Sequence, residues 1–131
     1  MFDIDMLGPV NGIDELDDAG LIDASVSALR LERAASARRL YALAQLFWRR
    51  EKAIEFSERE QWRIDGWDAM AAEVAAAAAI SRHKALRQIQ VAVSIWENLP
   101  KLAAVFLAGW VDYTILDRIE SRVSLIKPED R

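Results

Sequence analysis

Apolar residues recur every three or four positions along most of this chain, and no stretch shows the strict alternation typical of a β-strand. Residues 21–55 contain no glycine or proline, and their apolar positions form two stripes at helical spacing. The first stripe is Ile22, Val26, Leu29, Leu40, Leu43 and Phe47, and the second is Ala24, Ala28, Leu31, Ala35, Ala42 and Leu46. Two stripes on neighbouring faces predict a long helix that is buried on more than one side.

A helix over residues 21–55 is about 50 Å long at 1.5 Å per residue, which is more than a compact domain of this size covers. A second copy of the chain would cover the surplus length. The pattern therefore predicts a homodimer through the long N-terminal helix. A break in the helix near Ser36 is the competing explanation.

The segment DGWD at residues 65–68 predicts a helix start in which the first aspartate is the N-cap and the second completes a capping box. An alanine-rich helix follows, and after a short turn Ser81 caps a second helix that ends before Pro100. Residues 67–98 therefore predict a helix-turn-helix unit. The charged segment before it, residues 56–65, either continues the long helix or forms a connector.

Residues 101–126 predict a C-terminal helical hairpin, with a short helix that stops at Gly109 and a last helix capped by Asp112. In the last helix, the residues expected to face inward are Ile115, Leu116, Ile119 and Val123. Residues 1–20 are acidic and lack a helical period, which indicates an extended or mobile arm. The expected architecture is a single all-α domain over residues 21–131, a helical bundle with a long N-terminal helix and a helix-turn-helix unit.

The segment AAEVAAAAAISRHKALRQIQ joins a small-residue helix to a basic one, and no carboxylate occurs between Glu73 and Glu97. In a DNA-binding helix-turn-helix, the N-terminal part of the second helix enters the major groove. The candidate DNA contacts are therefore Ser81, Arg82, His83, Lys84, Arg87 and Gln90. One departure from the usual pattern is Ala79, because glycine normally holds that turn position and alanine resists the left-handed conformation.

The net charge of −4 is unevenly distributed along the chain. Residues 1–24 carry seven acids and no base, whereas residues 30–52 carry seven bases and two acids. The basic excess suits either a polyanionic partner or pairing with the acidic arm. Possible DNA phosphate contacts within it are Arg38, Arg39, Arg49 and Arg50.

Candidate chemistry is sparse. The chain has no cysteine, and its single histidine, His83, has no partner at metal-ligand spacing, so we expect no disulfide, metal or cofactor. No phosphate-binding glycine loop or serine-hydrolase motif occurs, so we expect no enzymatic activity and no small-molecule substrate. The N-terminal segment does not fit a signal peptide and no apolar run reaches about 18 residues, which predicts a cytoplasmic protein without a membrane segment.

Two resemblances add to this interpretation. The run ISRHKALRQIQVAVSIWENLPKLAAVFLAGWVDYTILDRI resembles the central domain of chromosome-partition ParB-type proteins. In those proteins a recognition helix leads into an LP turn, a short helix, a glycine and another helix. The residues that match this order are Ile80, Ser81, Leu99, Pro100 and Gly109.

The closer resemblance covers about residues 25–127. The blocks EREQWRIDGWDAMAAEVAAAAAISRHKALRQIQVA, NLPKLAAVFLAGWVDYTILDRI and SRVSLIKPED resemble the 13E12 repeat family, the domain of unknown function 222. The matching motif is Trp62, Asp65, Gly66, Trp67 and Asp68, which we interpret as a capped helix start packed by two indoles. Members commonly carry this domain before an HNH nuclease module, which this sequence lacks. The resemblance therefore implies the DNA-handling half of a nuclease-associated protein, or a truncated member that stands alone.

These observations predict a protein that binds double-stranded DNA through a helix-turn-helix, is nuclease-associated or regulatory, and lacks its own catalytic module. The alternative is a helical dimerisation or protein-interaction module without DNA binding.

Overall fold

A computed structural model describes residues 12–125 as a bundle of five α-helices. The helices are α1 (Asp18–Lys52), α2 (Arg59–Ala78), α3 (Arg82–Asn98), α4 (Pro100–Leu107) and α5 (Tyr113–Val123), with one 3-10 turn, Phe56–Glu58, before α2. This part of the chain has no strand, and none of its helices combines the length and apolar content needed to cross a bilayer. The predictions of an all-α fold and a long N-terminal helix are confirmed.

α1 begins with Asp17 as its N-cap, whose Oδ1 accepts the backbone N–H of Gly20 at 2.8 Å. The helix continues without interruption past Ser36, so the break considered there does not exist. Its 35 residues make it about 50 Å long. The last residues of the predicted arm, 18–20, belong to this helix, and residues 1–11 of that arm lie outside the described part of the chain.

The core lies between the C-terminal half of α1 and the helix α3. On α1 the fully buried residues are Ala37, Leu40, Ala44 and Phe47. α3 is the central helix, because it packs against α1, α2, α4 and α5, and seven of its 17 residues are buried. Burial on several sides leaves few positions along α3 that face solvent.

α1 and α3 run in parallel. Arg39 donates to Gln88 at 2.9 Å, and nine residues further along both helices Trp48 donates to Glu97 at 2.8 Å. Because α3 begins six residues before Gln88, about four turns of α1 extend beyond the start of α3. The surplus length predicted for the first helix is therefore present in the structure, at its N-terminal end.

α2 begins at Arg59, six residues before the DGWD segment, so the predicted helix start at Asp65 is wrong. The Asp65 carboxylate accepts a hydrogen bond from Gln61 one turn earlier instead of capping a helix. Gly66 lies within the helix, where a Cβ would clash with the ring of Trp62. The glycine therefore allows the close approach of an indole and does not mark a helix boundary.

α2 and α3 form an antiparallel hairpin. Arg63 contacts Glu97 at 2.9 Å, although each residue is about 24 Å along its helix from the corner between the helices. The two helices of a DNA-binding helix-turn-helix cross at about 90–120°, which would place such positions more than 30 Å apart. The α2–α3 pair therefore has the connection length expected for a helix-turn-helix but a closer, antiparallel packing.

The C-terminal helices each pack mainly against α1 and α3, and less against each other. Pro100 is the first residue of α4, a position where its missing N–H costs no hydrogen bond. Gly109 follows α4 at φ +83° against α1, where a Cβ would lie 2.6 Å from the carbonyl oxygen of Arg30. Asp112 caps α5 as predicted, because its Oδ1 accepts the N–H of Ile115 at 2.9 Å.

The inward face of α5 is partly as predicted. Leu116 is buried, and Ile119 and Val123 are half-buried. Ile115 is 43% exposed, so its predicted inward orientation is wrong. The buried position one turn after Leu116 is instead taken by a charged residue, Glu120.

The corner between α2 and α3 contains a strained alanine. Ala79 has φ 56° and ψ 44°, the left-handed conformation that most residues with a side chain avoid. The N–H of Ile80 donates to the carbonyl oxygen of Ala75 at 3.1 Å, which completes a Schellman C-cap. The structure thus places alanine where a glycine would avoid a steric penalty.

Replacing Ala79 with glycine should therefore raise the free energy of unfolding by about 0.5–1 kcal/mol. Ala77→Gly, at an exposed position inside α2, is the matched control and should lower it by about 1 kcal/mol. Urea denaturation of the two variants and the parent chain provides the comparison. A loss of stability in Ala79→Gly would contradict the strained corner.

Candidate nucleic-acid interface

The first turn of α3 is organised by Ser81. This residue has extended backbone angles, and its Oγ accepts the backbone N–H of Lys84 at 3.1 Å, which confirms the predicted N-cap. The preceding left-handed Ala79 reverses the chain so that α3 starts directly beside the end of α2. The corner therefore fixes the direction in which the following side chains leave the bundle.

Arg82, His83 and Lys84, which we call the cationic turn, follow this cap directly. All three are exposed, and within residues 12–125 none forms an ion pair with a carboxylate. The unpaired N–H groups at a helix N-terminus add a partial positive charge at the same place. This combination favours binding of an anion such as a phosphate group.

Arg87 lies one turn further along α3, and its guanidinium is held within the protein. It contacts Asp117 at 2.7 Å, Glu120 at 2.6 Å and the hydroxyl of Ser121 at 2.7 Å. Burial opposes its charge, but the hydrogen bonds to the two carboxylates outweigh burial and raise its pKa. The structure thus uses Arg87 to anchor α5 on α3, which separates it from the cationic turn.

The other polar residues of α3 are less accessible than its first turn. Gln90 is half-buried. Gln88 is only 5% exposed and accepts a hydrogen bond from Arg39, which explains how an amide is accommodated beside the core. Among the predicted DNA contacts, Ser81 and the cationic turn are therefore exposed, whereas Arg87 and Gln90 are half-buried.

The four arginines considered as phosphate contacts do not form one surface. Arg38 and Arg49 are exposed, Arg39 is bound to Gln88, and Arg50 makes a two-pronged ion pair with Glu73 at 2.6 and 3.0 Å. Hydrogen bonding to Glu73 raises the pKa of Arg50 and lowers the pKa of Glu73. Arg49 and Arg50 lie near the C-terminal end of α1, at the opposite end of the bundle from the start of α3.

The acidic partners of Arg87 could not be identified from the pattern of charge along the chain. Asp117 and Glu120 are 30 and 33 residues away in sequence. The signal available in the sequence was the spacing of three residues between Asp117 and Glu120, because residues three apart on a helix lie on one face. Tyr113 belongs to the same cluster, and burial, followed by the charge of Asp117, raises its pKa to about 12.

Among the described residues, no group of three histidine, aspartate or glutamate side chains is arranged to hold a metal ion.

Comparison with known proteins places this all-α chain in a family. It matches the model of the domain of unknown function DUF222 over residues 27–131, and it belongs to that family. It is 40% identical over 127 residues to three proteins of Mycobacterium tuberculosis: the uncharacterized protein in est 3'region, the uncharacterized protein Rv3776 and the uncharacterized protein Rv2100. These matches cover 97% of this chain but only 35%, 24% and 22% of the respective relatives. No solved structure matches the chain.

The ion pairs of Arg87 should contribute strongly to stability. Arg87→Met removes the guanidinium while keeping a long side chain, and it leaves the buried Glu120 carboxylate unpaired. We expect the free energy of unfolding to fall by about 2–3 kcal/mol. Arg82→Met, on the same helix but exposed, should change it by less than about 0.5 kcal/mol. Equal effects of the two substitutions in thermal or urea denaturation would contradict the anchoring role.

Tyr113 should make the fold sensitive to alkaline pH. Its pKa is raised from 10.0 to about 12 in the folded chain, so the folded state holds this proton more tightly than the unfolded state does. Its contribution to stability is complete below pH 10 and is lost as the pH rises from 10 to 12. Tyr113→Phe should remove that part of the pH dependence. Denaturation midpoints measured across this range, in the variant and the parent, test the assignment.

Proposed function

We propose that this chain binds duplex DNA through the cationic turn at the start of α3, as the DNA-contacting part of a nuclease-associated or regulatory protein. The proposal includes no catalytic role for the chain itself. Arg82 and Lys84 would contact phosphates, His83 would donate to a phosphate or a base edge, and Ser81 would keep the helix start in position.

The observation that carries the proposal is the position of two exposed cations, Arg82 and Lys84, directly after a helix N-cap. Arg50, Arg63 and Arg87 each reach one or two carboxylates at 3.0 Å or less. Arg82 and Lys84 are adjacent in space to a helix N-terminus and have no carboxylate partner in the described residues. Unneutralised cations at a helix start are the electrostatic arrangement that binds phosphate.

The packing of α3 constrains how DNA would be bound. A recognition helix that lies along the major groove needs one free face over several turns. The middle of α3 is covered by four neighbouring helices, so contact would be made by its N-terminal end. End-on contact reaches phosphates and few base edges, which favours binding with low sequence preference.

The two family resemblances supply independent support. The 13E12 repeat family commonly places this domain before an HNH nuclease module, and ParB-type proteins use the similar segment for DNA recognition. The chain spans about a fifth to a third of the length of the relatives that it matches. The proposed role is accordingly that of a DNA-contacting domain within a longer architecture.

The alternative function is a helical interaction module without DNA affinity. The antiparallel packing of α2 and α3 favours it, because this arrangement differs from the crossed helices of DNA-binding helix-turn-helix units. Direct measurement of DNA binding separates the two functions.

The double substitution Arg82→Ala/Lys84→Ala should weaken binding to a fluorescently labelled duplex of mixed sequence. The plot of log affinity against log salt concentration should become shallower by roughly two, because two phosphate contacts are lost. Both residues are exposed, so the fold should be unaffected. Fluorescence anisotropy at several salt concentrations gives both quantities.

The matched control is Lys52→Ala/Lys101→Ala, which removes the same charge at exposed positions near the other end of α3. Its affinity for the duplex should equal that of the parent chain, apart from the small general decrease that follows from the loss of two positive charges. If the parent binds no duplex at low salt, or if the two double variants bind equally, the cationic turn is not a DNA contact.

A further inference from the structure

The apolar face with which α1 enters the core continues beyond the core. The buried residues Leu40, Ala44 and Phe47 lie at the C-terminal end of this face. Counting back along the same face in steps of three and four residues leads to Arg33, Leu29, Val26, Ile22 and Asp18. The helix therefore carries one continuous stripe of which only the C-terminal half is covered.

We call residues 18–29 of α1 the projecting segment. From residue 21 to residue 32 every residue except the half-buried Ala24 is exposed. Along the stripe, Ile22 is 64% exposed, Val26 59% and Leu29 42%. Among the described residues, the side-chain hydrogen bond nearest the N-terminus of α1 that joins it to another helix is from the guanidinium of Arg30 to the carbonyl oxygen of Ala108, at 3.1 Å. A row of large apolar side chains on a regular helix is thus left in solvent.

Opposite charges bound this apolar row. Asp18 stands at its N-terminal end and Arg33 at its C-terminal end, four residues beyond the outer apolar residues on each side. The Nε of Arg33 is buried and has no hydrogen-bond partner in the described structure. The acids Asp14, Glu15, Asp17 and Asp23 lie around the first end. Around the second end lie the bases Arg30, Arg38 and Arg39 and a single acid, Glu32, so that end keeps a positive excess.

We propose that the projecting segments of two copies of this chain pair with each other in antiparallel orientation. The order acid, apolar, apolar, apolar, base is complementary to itself when one copy is reversed. Asp18 then faces Arg33 of the partner subunit, Ile22 faces Leu29 of the partner subunit, and Val26 lies next to the twofold axis. A parallel pair would place Asp18 against Asp18 of the partner subunit, and the same-charge contact would oppose it.

The pairing explains three features with one contact. It covers the exposed apolar side chains, and it supplies a carboxylate to Arg33. It also places the dipoles of the two helices in opposite directions, which is favourable. The intervals along the stripe are four, four, three and four residues, which keep its side chains on one face of the helix over about four turns. This inference does not depend on DNA binding, and its measurement is the mass of the chain in solution.

The first test is the molar mass of the full chain by light scattering over a range of concentrations, with the parent expected to be a dimer. Val26→Glu places two carboxylates next to the axis and should raise the dimer dissociation constant by roughly a hundredfold. Leu31→Glu, on the opposite and equally exposed side of α1, is the matched control and should leave the dimer intact. A monomeric parent at high micromolar concentration would overturn the proposal, as would equal effects of the two variants.

The second test addresses orientation by charge reversal. Asp18→Lys and Arg33→Glu should each weaken the dimer, and the double variant Asp18→Lys/Arg33→Glu should restore much of the affinity. Such recovery is expected only where the two positions meet across the interface. Additive weakening in the double variant would exclude the proposed register. Circular dichroism confirms that each variant remains helical.

The third test uses the absence of cysteine from the sequence. Val26→Cys should form a disulfide-linked dimer on mild oxidation, whereas Ile22→Cys should form one much more slowly, because antiparallel pairing keeps the two Ile22 positions apart. A mixture of Ile22→Cys and Leu29→Cys chains should cross-link as heterodimers. Rapid self-cross-linking of Ile22→Cys would instead indicate a parallel pair and would overturn the proposal.

Discussion

The central position of α3 is the constraint on which the rest of this structure depends. Four helices cover it, so its buried side chains are apolar except for Gln88, which is paired. Gln88 is tolerated because Arg39 donates to it, and Arg87 because α5 brings two carboxylates to it. Desolvating these polar groups without partners would cost several kcal/mol, so their contacts also fix where α1 and α5 lie. Within residues 12–125, the charges on the N-terminal half of α3 that have no carboxylate partner are those of its first turn.

Local signals in the sequence were sufficient wherever a helix boundary is set by a hydrogen bond within a few residues. Ser81 and Asp112 cap the helices that they were expected to cap, and Pro100 separates α3 from α4. The DGWD segment misled because its glycine has a packing role inside α2 that looks like a boundary signal. Gly66 makes room for Trp62, and this first part of α2 is held by Arg63, whose partners Glu51 and Glu97 are distant in sequence. Local rules do not contain such contacts.

The candidate site was predictable in its residue types but not in its accessibility. The basic character of Arg82, His83, Lys84 and Arg87 is evident from the sequence, and nothing in their spacing distinguishes the fourth from the others. The distinction comes from Asp117 and Glu120, which lie on a helix that packs against α3 only in the folded chain. A charge pattern therefore identifies candidate cations, whereas the fold decides which of them remain available to a ligand.

The two proposed contacts meet at one end of the bundle, because α1 and α3 run in parallel and the cationic turn lies near the level of Arg33. In the antiparallel register, Asp18 of the partner subunit reaches this level, and acids that precede it lie close beyond. Carboxylates placed there would compete with DNA phosphates for Arg82 and Lys84. In that arrangement self-association lowers DNA affinity, and by linkage DNA lowers the tendency to dimerise by the same factor. The acidic start and the basic middle of α1 then act together, since the same charges that select the partner orientation also screen the cationic turn.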